Sequence, residues 1–198
     1  MMGHMNAWKK LSSQYAHENP WYKVRHDTVL RPDGKQGDFY VIESRDAAFA
    51  VAITDDNKIM LVKVDRYTTG LENWEIPGGG RDKNEAPLIA AQREFYEETG
   101  YEARQWLDLG TVEIANGTSD IRGEIFLAEY LYRGQGQGHS QEVDGITKCQ
   151  AFSEQEILKM IGRGEIRDSV TLAGLLKYFV WRDRVQASEG LAATQDTI

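Results

Sequence analysis

Two glutamates four residues apart, Glu94 and Glu98, carry the strongest chemical signal in the chain. They lie in Ala-Pro-Leu-Ile-Ala-Ala-Gln-Arg-Glu-Phe-Tyr-Glu-Glu-Thr-Gly-Tyr, residues 86–101, whose apolar spacing predicts a helix. At about 100° per residue, Leu88, Ala91 and Phe95 form one stripe that must turn to a core. Glu98 falls inside that stripe and Glu94 on its edge. Inward carboxylates at i and i+4 repel each other and lose hydration, so they stay ionised only with strong positive charge between them. A hard divalent cation bound through oxygen is the simplest source of that charge. Glu97 points further toward solvent, where it either holds a second ion through a water or pairs with Arg93 at i, i+4. A Glu-rich, solvated surface helix is the bland alternative, and the wheel position argues against it.

The elements that must position these acids are legible on both sides. Ile-Pro-Gly-Gly-Gly-Arg-Asp-Lys-Asn-Glu, residues 76–85, opens the stretch as a loop. Pro87 sits where a first helical turn tolerates proline, and Gly100 follows the last helical residue where a left-handed cap is wanted. Upstream, alternation from Trp21 to Arg31, the turn Pro32-Asp33-Gly34 and the run Gly37 to Ser44 predict a small antiparallel unit. Ala47 to Thr54 and Lys58 to Asp65 read as two strands joined by the hairpin signal Asp55-Asp56-Asn57. Residues 6–19 read as a short helix or a loose segment, and residues 1–5 as an expression-vector remnant.

Downstream, Leu107-Asp108-Leu109-Gly110 opens a strand, Asn116 to Asp120 makes a turn, and Arg122 to Tyr132 is a long strand. A glycine-rich loop from Arg133 to Gly145 carries His139, Glu142 and Asp144. Ile146 to Phe152 returns as a strand, and Ser153-Glu154-Gln155-Glu156 is a capping box opening a helix. A last helix, capped by Asp168 or Ser169, runs from Val170 to about Val185. Residues 186–198 read as a flexible tail.

Composition narrows the functional classes. A chain of 198 residues with a net charge of −8 lacks the basic balance of a general nucleic-acid surface, but a bound cation would make phosphate binding favourable. No run approaches membrane-spanning length, and a single cysteine, Cys149, excludes an internal disulfide. These features predict a cytoplasmic protein without nucleic-acid or membrane partners. Cys149 itself reads as a small buried apolar residue.

Gly79, five residues, Glu85, seven residues, then Arg93-Glu94-Phe95-Tyr96-Glu97-Glu98-Thr99-Gly100-Tyr101 resembles the complete box of the Nudix hydrolase family. The longer run from Val64 to Gly79, with Asn73-Trp74-Glu75-Ile76-Pro77-Gly78-Gly79, resembles the ADP-ribose pyrophosphatase branch, as does the run from Phe152 onward. The resemblance implies an α/β fold, a Nudix-type α/β/α sandwich with a mixed sheet over residues 46–185, and a homodimer built by the antiparallel unit at residues 6–45. It implies that Glu94 and Glu98 bind two or three Mg²⁺ or Mn²⁺ ions, with Glu97 and the Gly78 carbonyl assisting, and that Arg93 and Glu85 brace loop and helix. Arg66 would clamp the pyrophosphate through its planar fork. Glu142, with Asp144 as its rival, would activate or position the attacking water. Trp21, Tyr22, Arg45 and Asp120 complete the expected substrate contacts. Asn116 stands where a proline often accompanies preference for ADP-ribose, so other nucleotide sugars, GDP-mannose among them, and dinucleoside polyphosphates stay open. A regulatory module that binds ADP-ribose without cleaving it is the alternative from another class.

Overall fold

The computed structural model describes residues 7–135 and 145–195, with side chains through residue 188. Its first strands, β1 (Lys9–Glu18), β2 (Tyr22–Leu30) and β3 (Gln36–Ser44), form an antiparallel sheet in that order. The β2–β3 turn closes through Arg31 N–H to Lys35 O (2.8 Å), with Gly34 at φ 79°. This is the hairpin read from alternation. Strand β1 is a correction to the short helix or loose segment expected over residues 6–19. Its polar side chains are all exposed, so no burial pattern marks it, and pairing with β2 from Lys9 opposite Leu30 to Glu18 opposite Lys23 makes it a strand.

Residues 1–46 and 113–122 form one compact unit, and residues 47–112 and 123–198 a second. Within the first, Ile42 N–H donates to Thr118 O (2.8 Å) and Arg122 N–H to the Asp46 carboxylate (2.9 Å).

The second unit is a mixed sheet between helices. Strands β4 (Ala47–Ile53) and β5 (Ile59–Arg66) leave a hairpin at Asn57, whose φ of 57° suits the turn, and pair only near it, at Ala52–Met60 and Ile53–Ile59. Beyond those pairs they separate, and residues 71–80 fill the split. Strand β6 (Leu71–Glu75) pairs with β5, and β7 (Gly78–Gly80) pairs with β4. Neither short strand is evident from alternation. Strand β8 runs from Tyr101 to Glu113, beginning before the Leu107 start read from the sequence, and β9 (Arg122–Arg133) and β10 (Ile146–Phe152) complete the order β10-β5-β4-β9-β8. Strands β4 and β9 run parallel.

Helix α1 (Pro87–Thr99) packs on β4 and β7. The alternating alanines Ala48, Ala50 and Ala52 of β4 belong to the clusters that receive Ala90, Ala91 and Phe95, and these small side chains let the helix lie close to the sheet. Helix α2 (Glu154–Gly162) starts at the expected capping box, with Ser153 and Glu156 exchanging bonds. Helix α3 (Ser169–Gln195) lies on β4, and a Cβ on its Gly174 would stand 2.7 Å from Ile76 Cδ1 and 3.5 Å from Val51 Cγ2. The two sheet faces therefore carry α1 on the alanine side and α3 on the Val51 side. The helix continues past Val185, where a tail was expected, since the following Ala, Gln, Glu and Leu residues are good helix formers. Cys149 is exposed on β10, not buried as its residue type suggested.

Candidate active site

The loop of residues 78–86 and helix α1 are joined by one arginine. Arg93 donates from Nε and Nη2 to the two oxygens of Glu85, both at 2.9 Å, and from Nη2 to Gly80 O at 3.1 Å. Its Nη1 donates to Glu94 (2.8 Å) and to Glu97 (3.2 Å). Glu85 also accepts from Asp82 N–H (2.9 Å), and the Arg81 guanidinium holds Glu85 O (2.9 Å from Nη2). The Arg93 guanidinium, with help from the Asp82 amide, lowers the Glu85 carboxyl from its ordinary value to about 2. The same bonds hold Arg93 firmly cationic. Arg93 and Glu85, the pair named for bracing, are thus brought together between the loop and the helix.

The acids fall as the wheel places them. Glu98 is buried, 7% exposed, beside Phe95 and Thr99, and accepts from Gly78 N–H at 3.0 Å. Glu94 lies against Gly79, where a Cβ would stand 2.7–2.9 Å from its carboxyl atoms, so a larger residue there would make the carboxylate shift. Glu97 is the more exposed of the acids on Arg93. Helix α1 ends as expected: Gly100, at φ 72°, donates to Tyr96 O at 2.8 Å.

An oxygen-only donor set is the chemistry a hard divalent cation takes, and the glycine cradle under Glu94 fits that use. In the described arrangement Glu94 and Glu97 hold Arg93, and Glu98 holds the Gly78 amide. Among the described residues, no group of three or more His, Cys, Asp or Glu side chains converges as metal ligands. Here the residues fit a cation by donor type, and Arg93 supplies the positive charge that the inward carboxylates demand.

Arg66, expected as a phosphate clamp, has its fork engaged by Glu75: Nε at 3.1 Å and Nη2 at 2.6 Å. Glu75 is buried and needs a countercharge, which Arg66 provides. Glu75, Arg81 and Glu124 were not singled out as site residues in the sequence. Arg81 donates to Glu124 of β9 at 3.3 Å, and Glu124 and Gly79 are both partners of Ala48 across adjacent strands. The signal was available, since Glu124 shares the parity of Phe126 and Ala128, which pack toward α1.

Trp21, Tyr22 and Arg45 are brought together in the first unit, lining a cavity of about 310 Å³ with Tyr15 and Lys23. Trp21 is 72% exposed. Asp120 stands 4.0 Å from Arg25 in the same unit. Glu142, Asp144 and His139 lie outside the described residues.

Comparison with known proteins agrees with this architecture. Residues 43–173 match the family profile of the NUDIX domain, and residues 8–42 that of the nucleoside diphosphate sugar hydrolase N-terminal domain. The chain is 32% identical to an ADP-ribose pyrophosphatase of Mycobacterium tuberculosis over 171 residues, covering 85% of this chain and 82% of that protein. It is 29% identical over 163 residues to an ADP-ribose pyrophosphatase of Bacillus subtilis, covering 82% and 87%. A crystal structure of an ADP compounds hydrolase superposes with a TM-score of 0.77 at 18% identity, over 88% of this chain and 93% of the other, which fixes the fold. Nudix hydrolases generally use divalent metal ions, in keeping with the acids on α1. With the complete box, the NUDIX-domain match and full-length relatives together, the chain belongs to the Nudix family and is a pyrophosphohydrolase.

Proposed function

We propose that the enzyme hydrolyses the pyrophosphate bond of a nucleoside diphosphate sugar, with ADP-ribose the first substrate, giving AMP and ribose 5-phosphate. The observation that carries this reading is the carboxylate cluster around Arg93, with buried Glu98 beside it, in a chain whose full-length relatives include ADP-ribose pyrophosphatases. The match of residues 8–42 to a nucleoside diphosphate sugar hydrolase N-terminal domain supports a sugar-bearing substrate.

Glu94 and Glu98 would hold Mg²⁺, two or three ions in all, with Glu97 and the Gly78 carbonyl assisting. When bound, the metal supplies charge neutralisation on the phosphate oxygens. Arg93 and Glu85 keep loop and helix in register, and Arg66 takes the pyrophosphate. Glu142 positions the attacking water; Trp21, Tyr22, Arg45 and Asp120 contact the rest of the nucleotide. Water adds to one phosphorus and the bridging P–O bond breaks, so most of the rate comes from charge stabilisation and alignment.

The protein would work in the cytoplasm as a homodimer. Tyr15 and Phe39 are exposed on one face of the first sheet and Tyr40 and Ile42 on the other, apolar side chains that a second copy would cover. No helix among the described residues is long and apolar enough to cross a membrane.

The test is Mg²⁺-dependent hydrolysis of ADP-ribose, GDP-mannose, UDP-glucose, a diadenosine polyphosphate and 8-oxo-dGTP, with Glu98→Gln as control. Preferential release of AMP from ADP-ribose, lost in the variant, is expected. Near-normal turnover by Glu98→Gln would overturn the metal-site assignment, and binding without cleavage would favour the regulatory module.

A further inference from the structure

Strand β6 carries two buried polar side chains, Asn73 and Glu75, at 8% and 7% exposure. Two residues apart on a strand, they leave on the same face. Each holds an exposed arginine. Glu75 takes the Arg66 fork from the end of β5, and Asn73 Oδ1 accepts from Arg167 Nε at 3.1 Å, in the connection between α2 and α3. The backbone between them is fixed. Trp74 N–H donates to Glu165 O (3.1 Å), Ile76 N–H donates to Thr171 Oγ1 (3.1 Å), and Asp168 caps α3 by accepting from Thr171 N–H (2.7 Å).

Arg66, Asn73, Glu75, Arg167 and Asp168 line an open cavity of about 570 Å³, within the usual range for small-ligand sites. Its rim adds the hydroxyls of Thr68, Thr69 and Ser169. Among the described residues no aromatic ring lines it, so they offer no ring on which a nucleobase would stack. Of its two carboxylates, Glu75 is held by Arg66 and Asp168 by the Thr171 amide, and the hydroxyls, the carboxamide and the guanidinium groups suit a polyhydroxylated, anionic group. Arg167 makes no ion pair among the described residues, and its hydrogen bond to Asn73 uses Nε alone. Both Nη groups are left for another partner. Glu75, which holds Arg66 on the cavity wall, lies three residues before Gly78, whose amide donates to Glu98, so the cavity wall leads to the acids of the box.

We propose that this cavity receives the sugar phosphate half of the substrate, and that Arg167, positioned by Asn73, sets selectivity for it. The assignment rests on the reading of the chain as a nucleoside diphosphate sugar hydrolase. A site built to hydrogen-bond hydroxyl and phosphate groups discriminates strongly against an analogue lacking them.

The experiment compares wild type with Arg167→Met on ADP-ribose and on the β-methyl ester of ADP, which keeps the adenosine and the pyrophosphate and carries a methyl group in place of the distal sugar. Arg167 is exposed, and methionine retains part of its apolar stem, so folding should be unaffected. The expected result is a fall of about 10- to 100-fold in kcat/KM for ADP-ribose, mainly through KM, with the methyl ester unchanged. The inhibition constant of ribose 5-phosphate should rise in parallel, and Arg167→Lys, which keeps charge without the fork, should fall between. An equal fall on both substrates, or an unchanged ratio, overturns the assignment. Wild-type failure on every sugar nucleotide would sink the functional reading itself, a different outcome from an active wild type with an unchanged ratio.

Discussion

Each unit of the protein contains an arginine facing three carboxylates. Arg93 meets Glu85, Glu94 and Glu97; Arg25 meets Asp27, Glu43 and Asp120. The device is the same and its surroundings differ. The acids of Arg93 belong to a loop and a helix packed on the alanine face of β4, with buried Glu98 one turn beyond Glu94. Those of Arg25 belong to strands and a turn whose sheet leaves Leu11, Tyr15, Tyr40 and Ile42 exposed. Around Arg93, the acids come from the loop and from helix α1, so that hub joins a loop to a helix. Around Arg25, buried Asp27 also accepts from Ser13 Oγ (2.5 Å) on β1, so that hub joins strands.

Substitutions that separate the two roles should differ in size. Glu98→Gln should lower kcat by on the order of a thousand-fold with an unchanged circular dichroism spectrum, since one charge is removed at the phosphate-stabilising site. Gly79→Ala comes next. Its Cβ would press on the Glu94 carboxyl group, so kcat should drop by about 100-fold while Tm moves little; full activity would show that Glu94 need not lie against the loop. Arg93→Met should cost about 2–3 kcal/mol in urea unfolding, less than a fully buried pair because the side chain is part-exposed. Arg25→Met should instead weaken the β1–β2 pairing, read as faster amide exchange in β1 with a smaller change in global stability.

Acid titration sharpens the contrast. Glu85 sits at about 2 in the folded protein against an ordinary 4.5, so its contribution is complete above 4.5 and is lost as pH falls toward 2. Unfolding followed through that window should be flatter for Glu85→Gln than for the wild type; parallel curves would disprove the coupling. The smallest effect belongs to the rim of the first sheet. Lys23 pairs with Glu18 at 2.6 Å with both side chains about half exposed, and Lys23→Ala should leave Tm unchanged within error.

Much of the second unit was legible because its residues obey simple periods. Leu88, Ala91 and Phe95 placed Glu98 inward, Gly100 ended the helix, and Ser153 with Glu156 began another. What escaped depended on distant partners. Strand β1 has no buried side chain and exists through its pairing with β2, so neither composition nor alternation revealed it. Strands β6 and β7 are too short for a period and exist because β4 and β5 separate. Arg66 was correctly placed at a strand end, yet its engagement by Glu75 needed the knowledge that residues 71–75 lie beside β5. Glu124 and Arg167 escaped for the same reason, their partners being 43 and 94 positions away.

The stitching of β6 also dictates an order of assembly. Ile76, immediately before the glycine loop, donates its buried amide to Thr171, and Trp74 donates to Glu165. On a ribosome, Ile76 emerges 95 residues before the hydroxyl that completes its backbone bonding, and the whole box is out well before that hydroxyl. Helix α1 can form early from local contacts, but the strand that feeds it stays unfinished until α3 docks. A chain shortened before α3 would carry every acid of the box and still leave its approach strand unlatched. The C-terminal helix thus acts as the last fastening of a site encoded in the middle of the chain.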